Sequence, residues 1–193
     1  NWVMGFMTQF GSDEPMGCYD DFEIADDFIL WGNNMAEMHP VLFSRMLEAK
    51  RQNSGVRIVD IGTRRTPTSE YADVYIEIRP GSDLALANGI LHLLVERGKV
   101  HKSFVEENVV FKRGIEDEDK IGWGCFGDDA KSYKFKDKGR NSSLTELREF
   151  LKDYTPQKVA ELTGVSVEQI SALADMYGEM NRGTVSLWCM GVN

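Results

Sequence analysis

The chain has 193 residues, enough for one large domain whose core needs no disulfide staples. With 42% hydrophobic and 27% charged residues, it has a globular balance and is not a disordered chain. Twenty-two Lys and Arg against 31 Asp and Glu leave a formal charge of −9, which disfavours nucleic acid or an anionic lipid surface as partner.

Taken in chain order, the first acidic run, Asp20, Asp21, Glu23, Asp26 and Asp27, reads as a solvated face. Asp27-Phe28-Ile29-Leu30-Trp31 then reads as a buried strand, ended by the turn Gly32-Asn33-Asn34. Pro40 opens a helix that runs through Val41, Phe43, Met46 and Leu47 to the cationic end Lys50-Arg51. Val56 to Ile61 and Val74 to Ile78 are the next strands. Gly81-Ser82-Asp83 starts a strong helix carrying Leu84, Ala87, Ile90, Leu91 and Leu94 at helical spacing, and Gly98 ends it.

From Phe111 to Asn141 the periodicity fades into charge and glycine, which reads as an elaborated, variable surface loop. Three helices with written start signals follow: a capping box at Ser143 and Glu146, an N-cap with proline at Thr155-Pro156, and a second box at Ser166 and Gln169. Thr184 to Trp188 is the last strand. Strands alternating with helices predict a single α/β domain, Rossmann-like, with a mostly parallel sheet flanked by helices.

Several motifs carry less than they promise. Gly122-Trp123-Gly124-Cys125-Phe126-Gly127 is a literal GxGxxG, but a dinucleotide fingerprint must follow a strand and open a helix. Here charged residues lie on both sides, so it is a decoy. Cys18, Cys125 and Cys189 offer neither a disulfide framework nor a metal knuckle, and His39, His92 and His101 share no ligand spacing. No nucleophile–base pair is visible, so no catalytic and no metal-binding residue is assigned. Asn141-Ser142-Ser143 matches a glycosylation sequon, but Ser143 is better used as a helix cap. No apolar run reaches the ~20 residues of a membrane span, and no signal peptide opens the chain. Both ends look cut, which predicts a piece of a longer protein.

The loops leaving the strands are better candidates, because parallel α/β sheets bind ligands at their carboxyl edge. Trp31 to Asn34 offers a turn, two amides and an aromatic plane; Gly62-Thr63-Arg64-Arg65-Thr66 offers two cations for phosphate; Pro80 to Asp83 places a carboxylate at a helix start. Turn and cap chemistry uses the same residue types. Composition and spacing reach an α/β domain with a nucleotide-type edge, and no further. An NAD-type domain with Asp60 as ribose ligand, or an acidic docking domain for a basic, cytochrome-type partner, remains open at this point.

A resemblance narrows the choice. The blocks Gly5 to Thr8, Asp13 to Asp21 and Trp31 to Pro40 are similar to the catalytic subunits of periplasmic nitrate reductases, in the molybdopterin oxidoreductase superfamily. The similarity continues through Arg64-Arg65-Thr66, Pro80 to Ala85, Asp153 to Pro156 and Ser186 to Gly191. It implies reduction of nitrate to nitrite at a molybdenum held by two molybdopterin guanine dinucleotides. It further implies electrons from a [4Fe-4S] cluster lying outside this segment, a cytochrome c-type donor, and a periplasmic location. By this resemblance the cofactor-contacting residues are Trp31, Gly32, Asn33, Asn34, Met35, Ala36, Glu37, Met38, Gly62, Thr63, Arg64, Arg65, Thr66, Gly81, Ser82, Asp83 and Met190. Residues 1–193 then form a cofactor-binding domain whose main partner is the rest of the same enzyme. The molybdenum-ligating cysteine is expected just upstream, so none of the three cysteines here takes that role and the segment alone is expected to be inactive.

Overall fold

The computed structural model describes residues 9–10, 17–113 and 140–192. The GxGxxG run, Cys125 and most of the 111–141 loop lie outside the described residues, as do the blocks at 5–8 and 13–16.

The sheet contains β1 (Asp27–Trp31), β2 (Arg57–Gly62), β3 (Val74–Glu77) and β6 (Thr184–Trp188), in the order β3-β2-β1-β6 and parallel throughout. The register sets Ile29 beside Val59 and Ser186, and Trp31 beside Ile61 and Trp188. β1 is a central strand, and its five residues are all buried, as a continuous apolar run requires of a strand covered on both faces. β4 (Lys112–Arg113) and β5 (Arg140–Asn141) form a short antiparallel ladder that closes the ends of the variable loop.

Alternate residues of β1 and β2 feed two cores. Ile29, Trp31, Val59, Ile61 and Ile76 pack against three helices on one face. These are α4 (Asp83–Glu96), α7 (Pro156–Thr163) and α8 (Val167–Tyr177). Phe28, Leu30 and Ile58 pack on the other face against Phe22 of α1 (Asp21–Ile24), Met35 of α2 (Met35–Met38), and Phe43 and Met46 of α3 (Pro40–Gln52). α5 (Lys102–Asn108) and α6 (Leu144–Leu151) complete the chain of helices.

The α4–α7 contact is tight. A Cβ added at Gly89 would stand 2.8 and 2.9 Å from the two methyl groups of Val159, so the glycine sets how closely these helices approach.

The helix starts follow the sequence signals, with one difference. Thr155 and Ser166 accept from the N–H groups of Lys158 and Gln169, and the second box is reciprocal. At α6 Ser143 accepts from the Glu146 N–H, but the Glu146 carboxylate takes its bond from Ser142 Oγ, so that box is only half formed.

The acidic run needs a correction. Asp27 has no solvent exposure. It begins β1, between the starts of β2 and β6, where Arg57 and Arg182 both reach it at 2.6 to 3.1 Å, with Glu179 bonded to Arg57 on the far side. Burial alone would raise its carboxyl, but the two guanidinium partners outweigh that and hold it below the ordinary carboxylate value. This network pins the amino edge of the sheet. It leaves the opposite edge for a ligand.

Candidate functional site

Because the strands are parallel, the loops after β1, β2, β3 and β6 all emerge at one edge. There they enclose a cleft of about 240 Å³ lined by segments 32–34, 60–64 and 66, with Ile78, Asp83 and Gly191. That is smaller than the roughly 300–1,000 Å³ of a complete small-molecule pocket. The cleft therefore suits one portion of a larger ligand.

The β1 loop owes its shape to two glycines. Gly32 takes φ +56, and a Cβ there would lie 2.7 Å from the backbone of Gly191, whose N–H donates to the Gly32 carbonyl at 3.3 Å. The loops after β1 and β6 thus meet backbone to backbone. Beyond them, Asn34 donates to Glu37 and accepts from Thr68 Oγ1, which also accepts from the Ala36 N–H. A short 3-10 turn (Pro67–Glu70) supplies Thr68, so it braces α2 from below.

Several groups along the cleft are unspent. Arg64 is exposed and has no hydrogen-bond or ion-pair partner among the described residues; neither has the carboxylate of Asp83, half-buried at the first position of α4. The backbone N–H groups of Asn33, Asn34, Thr63 and Arg64 likewise make no hydrogen bond among the described residues. Asn33 is 6% exposed, and its Oδ1 is buried without a partner, as is Thr66 Oγ1. Such an orphaned oxygen costs roughly 1–3 kcal/mol unless something donates to it. At the floor Asp60, 4% exposed, accepts from Ser69 Oγ. Its burial pushes the carboxyl above its usual value, against smaller lowering effects of Ser69 and Arg65.

Of the seventeen residues singled out from the sequence, Gly32, Asn33, Asn34, Gly62, Thr63, Arg64, Thr66 and Asp83 line this cleft. The others are placed differently. Trp31 is turned into the core, its Nε1 donating to Tyr177 at 3.0 Å, and Tyr177 in turn bonds Ser186 at 2.7 Å. Met35 is core and Met38 is exposed. Ala36 and Glu37 serve the loop's own hydrogen bonds. Arg65 lies over the Tyr75 ring at 4.6 Å. Gly81 supplies φ +75 for the turn, and Ser82 bonds the Arg79 carbonyl. Met190 falls in a 3-10 turn (Met190–Val192) beside the cleft residue Gly191.

Four lining residues were not on that list: Asp60, Ile61, Ile78 and Gly191. Only Asp60 carries a local signal, a lone carboxylate in an apolar strand. The nearby His39 stands 3.9 Å from Cys189 Sγ. Among the described residues no group of three or more His, Cys, Asp or Glu could hold a metal ion, and no helix is long and apolar enough to cross a membrane.

Together these features define a parallel α/β domain of Rossmann-like architecture, with a polar, half-satisfied cleft at its carboxyl edge. The model of the molybdopterin oxidoreductase family matches residues 4–189, and the chain belongs to that family. This associates it with a molybdopterin-type molybdenum cofactor. Its fold is similar to acetylene hydratase from Pelobacter acetylenicus, with a TM-score of 0.61 and 22% identity over 87% of this chain. The match takes in 18% of that protein, so the chain spans less than a fifth of the length of its structural relative.

The donor set suits the nucleotide part of such a cofactor. An unpaired guanidinium and free N–H groups match phosphate, an unpaired carboxylate matches an N–H edge, and the orphaned oxygens call for donors.

Proposed function

We propose that this chain is the guanine dinucleotide-binding domain of a molybdenum-dependent periplasmic nitrate reductase, holding part of a bis-molybdopterin guanine dinucleotide cofactor. Family membership supports the cofactor class. The blocks at Asp13 to Asp21 and Trp31 to Pro40 support the choice of nitrate. The observation that carries the reading is the convergence of three recognition elements without partners among the described residues on one cleft: the Arg64 guanidinium, the Asp83 carboxylate and the backbone N–H groups of Asn33 and Asn34.

Each has a role. Arg64 and the N–H groups of residues 33, 34, 63 and 64 hold pyrophosphate oxygens. Asp83 accepts from the N1–H and N2–H₂ edge of guanine, a paired donor pattern that adenine lacks. Bound molybdenum would supply the oxygen-transfer and redox chemistry, while this domain orients the cofactor and excludes water from its nucleotide end. Neither Cys18, Cys125 nor Cys189 is assigned to the metal. The whole enzyme carries the [4Fe-4S] cluster elsewhere, receives electrons from a cytochrome c-type partner, and works in the periplasm. The net charge of −9 suits a basic donor surface.

Calorimetric titration tests the nucleotide assignment. The cofactor-free protein should bind GDP about tenfold or more tightly than ADP, and Asp83→Ala should abolish that preference. Equal affinity for the two nucleotides, or an unchanged preference in the variant, refutes the role of Asp83.

A further inference from the structure

Nucleotide binding leaves one reactive pair unused at the carboxyl edge. Cys189, half-buried just past β6, sets its Sγ 3.9 Å from Nε2 of His39, the residue that joins α2 to α3. That is the reach of a hydrogen bond to sulfur, with the thiol as donor when the imidazole carries its own proton on Nδ1. Both residues are fixed by their backbones. Cys189 donates its N–H to the Trp31 carbonyl at 3.3 Å, and its neighbour Trp188 stacks on Trp31 with ring centroids 6.0 Å apart. His39 donates its N–H to the Met35 carbonyl and accepts from the Phe43 N–H, both at 2.9 Å. Its side chain makes no cap bond to α3, so the ring is left to face the thiol.

The surroundings favour thiol chemistry over metal binding. Among the described residues no third ligand joins the pair, and a closed structural site takes four. α2, the first turn of α3 and β6 carry one charged side chain, Glu37, which is bonded to Asn34. His39 is exposed, which gives a small molecule access to the pair. Cys18 supplies the contrast. It is exposed, its N–H donates to Asp21 Oδ2 at 2.8 Å, and no histidine bonds it among the described residues.

We propose that Cys189 is a thiol-modification site that takes small disulfides, with His39 as its general base. His39 Nε2 accepts the Sγ proton, and the thiolate attacks one sulfur of the disulfide. A new S–S bond forms as the old one breaks, and the departing thiolate takes the proton back from the imidazolium. One thiol and one disulfide give one mixed disulfide and one thiol, so no outside oxidant is needed. The chemistry is independent of which nucleotide the cleft holds.

The test is the rate of mixed-disulfide formation with oxidised glutathione in the whole protein, followed at each cysteine by peptide mass spectrometry. Near pH 7 an unassisted thiol is mostly protonated, so Cys189 should react about tenfold or more faster than Cys18 despite its lower exposure. Near pH 9.5 thiols ionise unaided, and that advantage should vanish. His39→Gln should slow Cys189 about tenfold or more near pH 7, at most about twofold near pH 9.5, and leave Cys18 unchanged. Equal rates at Cys189 and Cys18 near pH 7 overturn the site. An unchanged rate in His39→Gln, or equal slowing at both pH values, overturns the role of His39 as a base. If that variant does not fold, the two native thiols compared at the two pH values decide alone.

Discussion

Replacing Gly32 with alanine tests the backbone contact that shapes the cleft. At φ +56 an L side chain costs about 1–2 kcal/mol in the left-handed region. Its Cβ would also stand 2.7 Å from both C and Cα of Gly191 and 3.1 Å from the Val192 nitrogen. Favourable carbon–carbon separations are roughly 3.5–4.0 Å, and backbone cannot rotate aside as a side chain can. Overpacking of this kind adds about 1–3 kcal/mol. The sum is about 2–5 kcal/mol, or a fall in Tm of roughly 4–20 °C for a domain of this size. Gly81 is the internal control, with φ +75 and no atom within 4 Å of an added Cβ. Gly81→Ala should lose only the conformational part, about 1–2 kcal/mol. The assay is urea unfolding followed by near-ultraviolet circular dichroism. Gly191→Ala forces apart the same two loops, so the double variant should lose less than the sum of the single ones. A Gly32→Ala protein no less stable than Gly81→Ala, or strict additivity with Gly191→Ala, would refute the contact.

Asp27→Asn removes the buried counter-charge of Arg57 and Arg182, which stay partly exposed and paired with Glu179, and should cost about 1–3 kcal/mol at neutral pH in the same unfolding assay. Because the folded carboxyl is held below its ordinary value of 3.8, its contribution is present above that pH and drains away as pH falls through the folded value. The gap between native protein and variant should therefore hold at pH 5 and above and close only in stronger acid; a gap already closing between pH 7 and 5 would contradict the assignment. Asp60 has the opposite sign. Its raised carboxyl favours the fold below 3.8 and loses that contribution as pH rises through the folded value, so Asp60→Asn should flatten the stability profile on that interval. Gly89→Ala drives a methyl group into Val159 and should destabilise by about 1–3 kcal/mol, and because Val159→Ala removes the methyl groups it meets, the double variant should lose less than the sum of the two single ones.

Much of this architecture is legible locally. The apolar run at Asp27 to Trp31 and the caps at Thr155 and Ser166 are set by residues close in sequence, and the loops at 32–34, 62–66 and 81–83 show their polar residue types there. What is not legible depends on chain crossings. Asp27 looks solvated among its acidic neighbours, and only the β2-β1-β6 order brings Arg57 and Arg182 to it. Gly191 enters the cleft only because β6 returns beside β1, where a tripeptide signal has no meaning. Trp31 shows an aromatic at a turn, but strand alternation sends its ring toward Tyr177 and not toward the cleft. Asp60 could be noticed as a carboxylate in an apolar strand, yet its clamp by Ser69 depends on the 3-10 turn folding back beneath β2.

The central claim is best tested on the whole enzyme purified from its native compartment. Molybdenum and acid-released nucleotide should be measured on the same preparation that is assayed for dye-driven nitrate reduction. The account predicts molybdenum together with guanine nucleotide, and nitrite formed from nitrate. Molybdenum with a different nucleotide, or a guanine-containing preparation inert toward nitrate but active on another substrate, would contradict it.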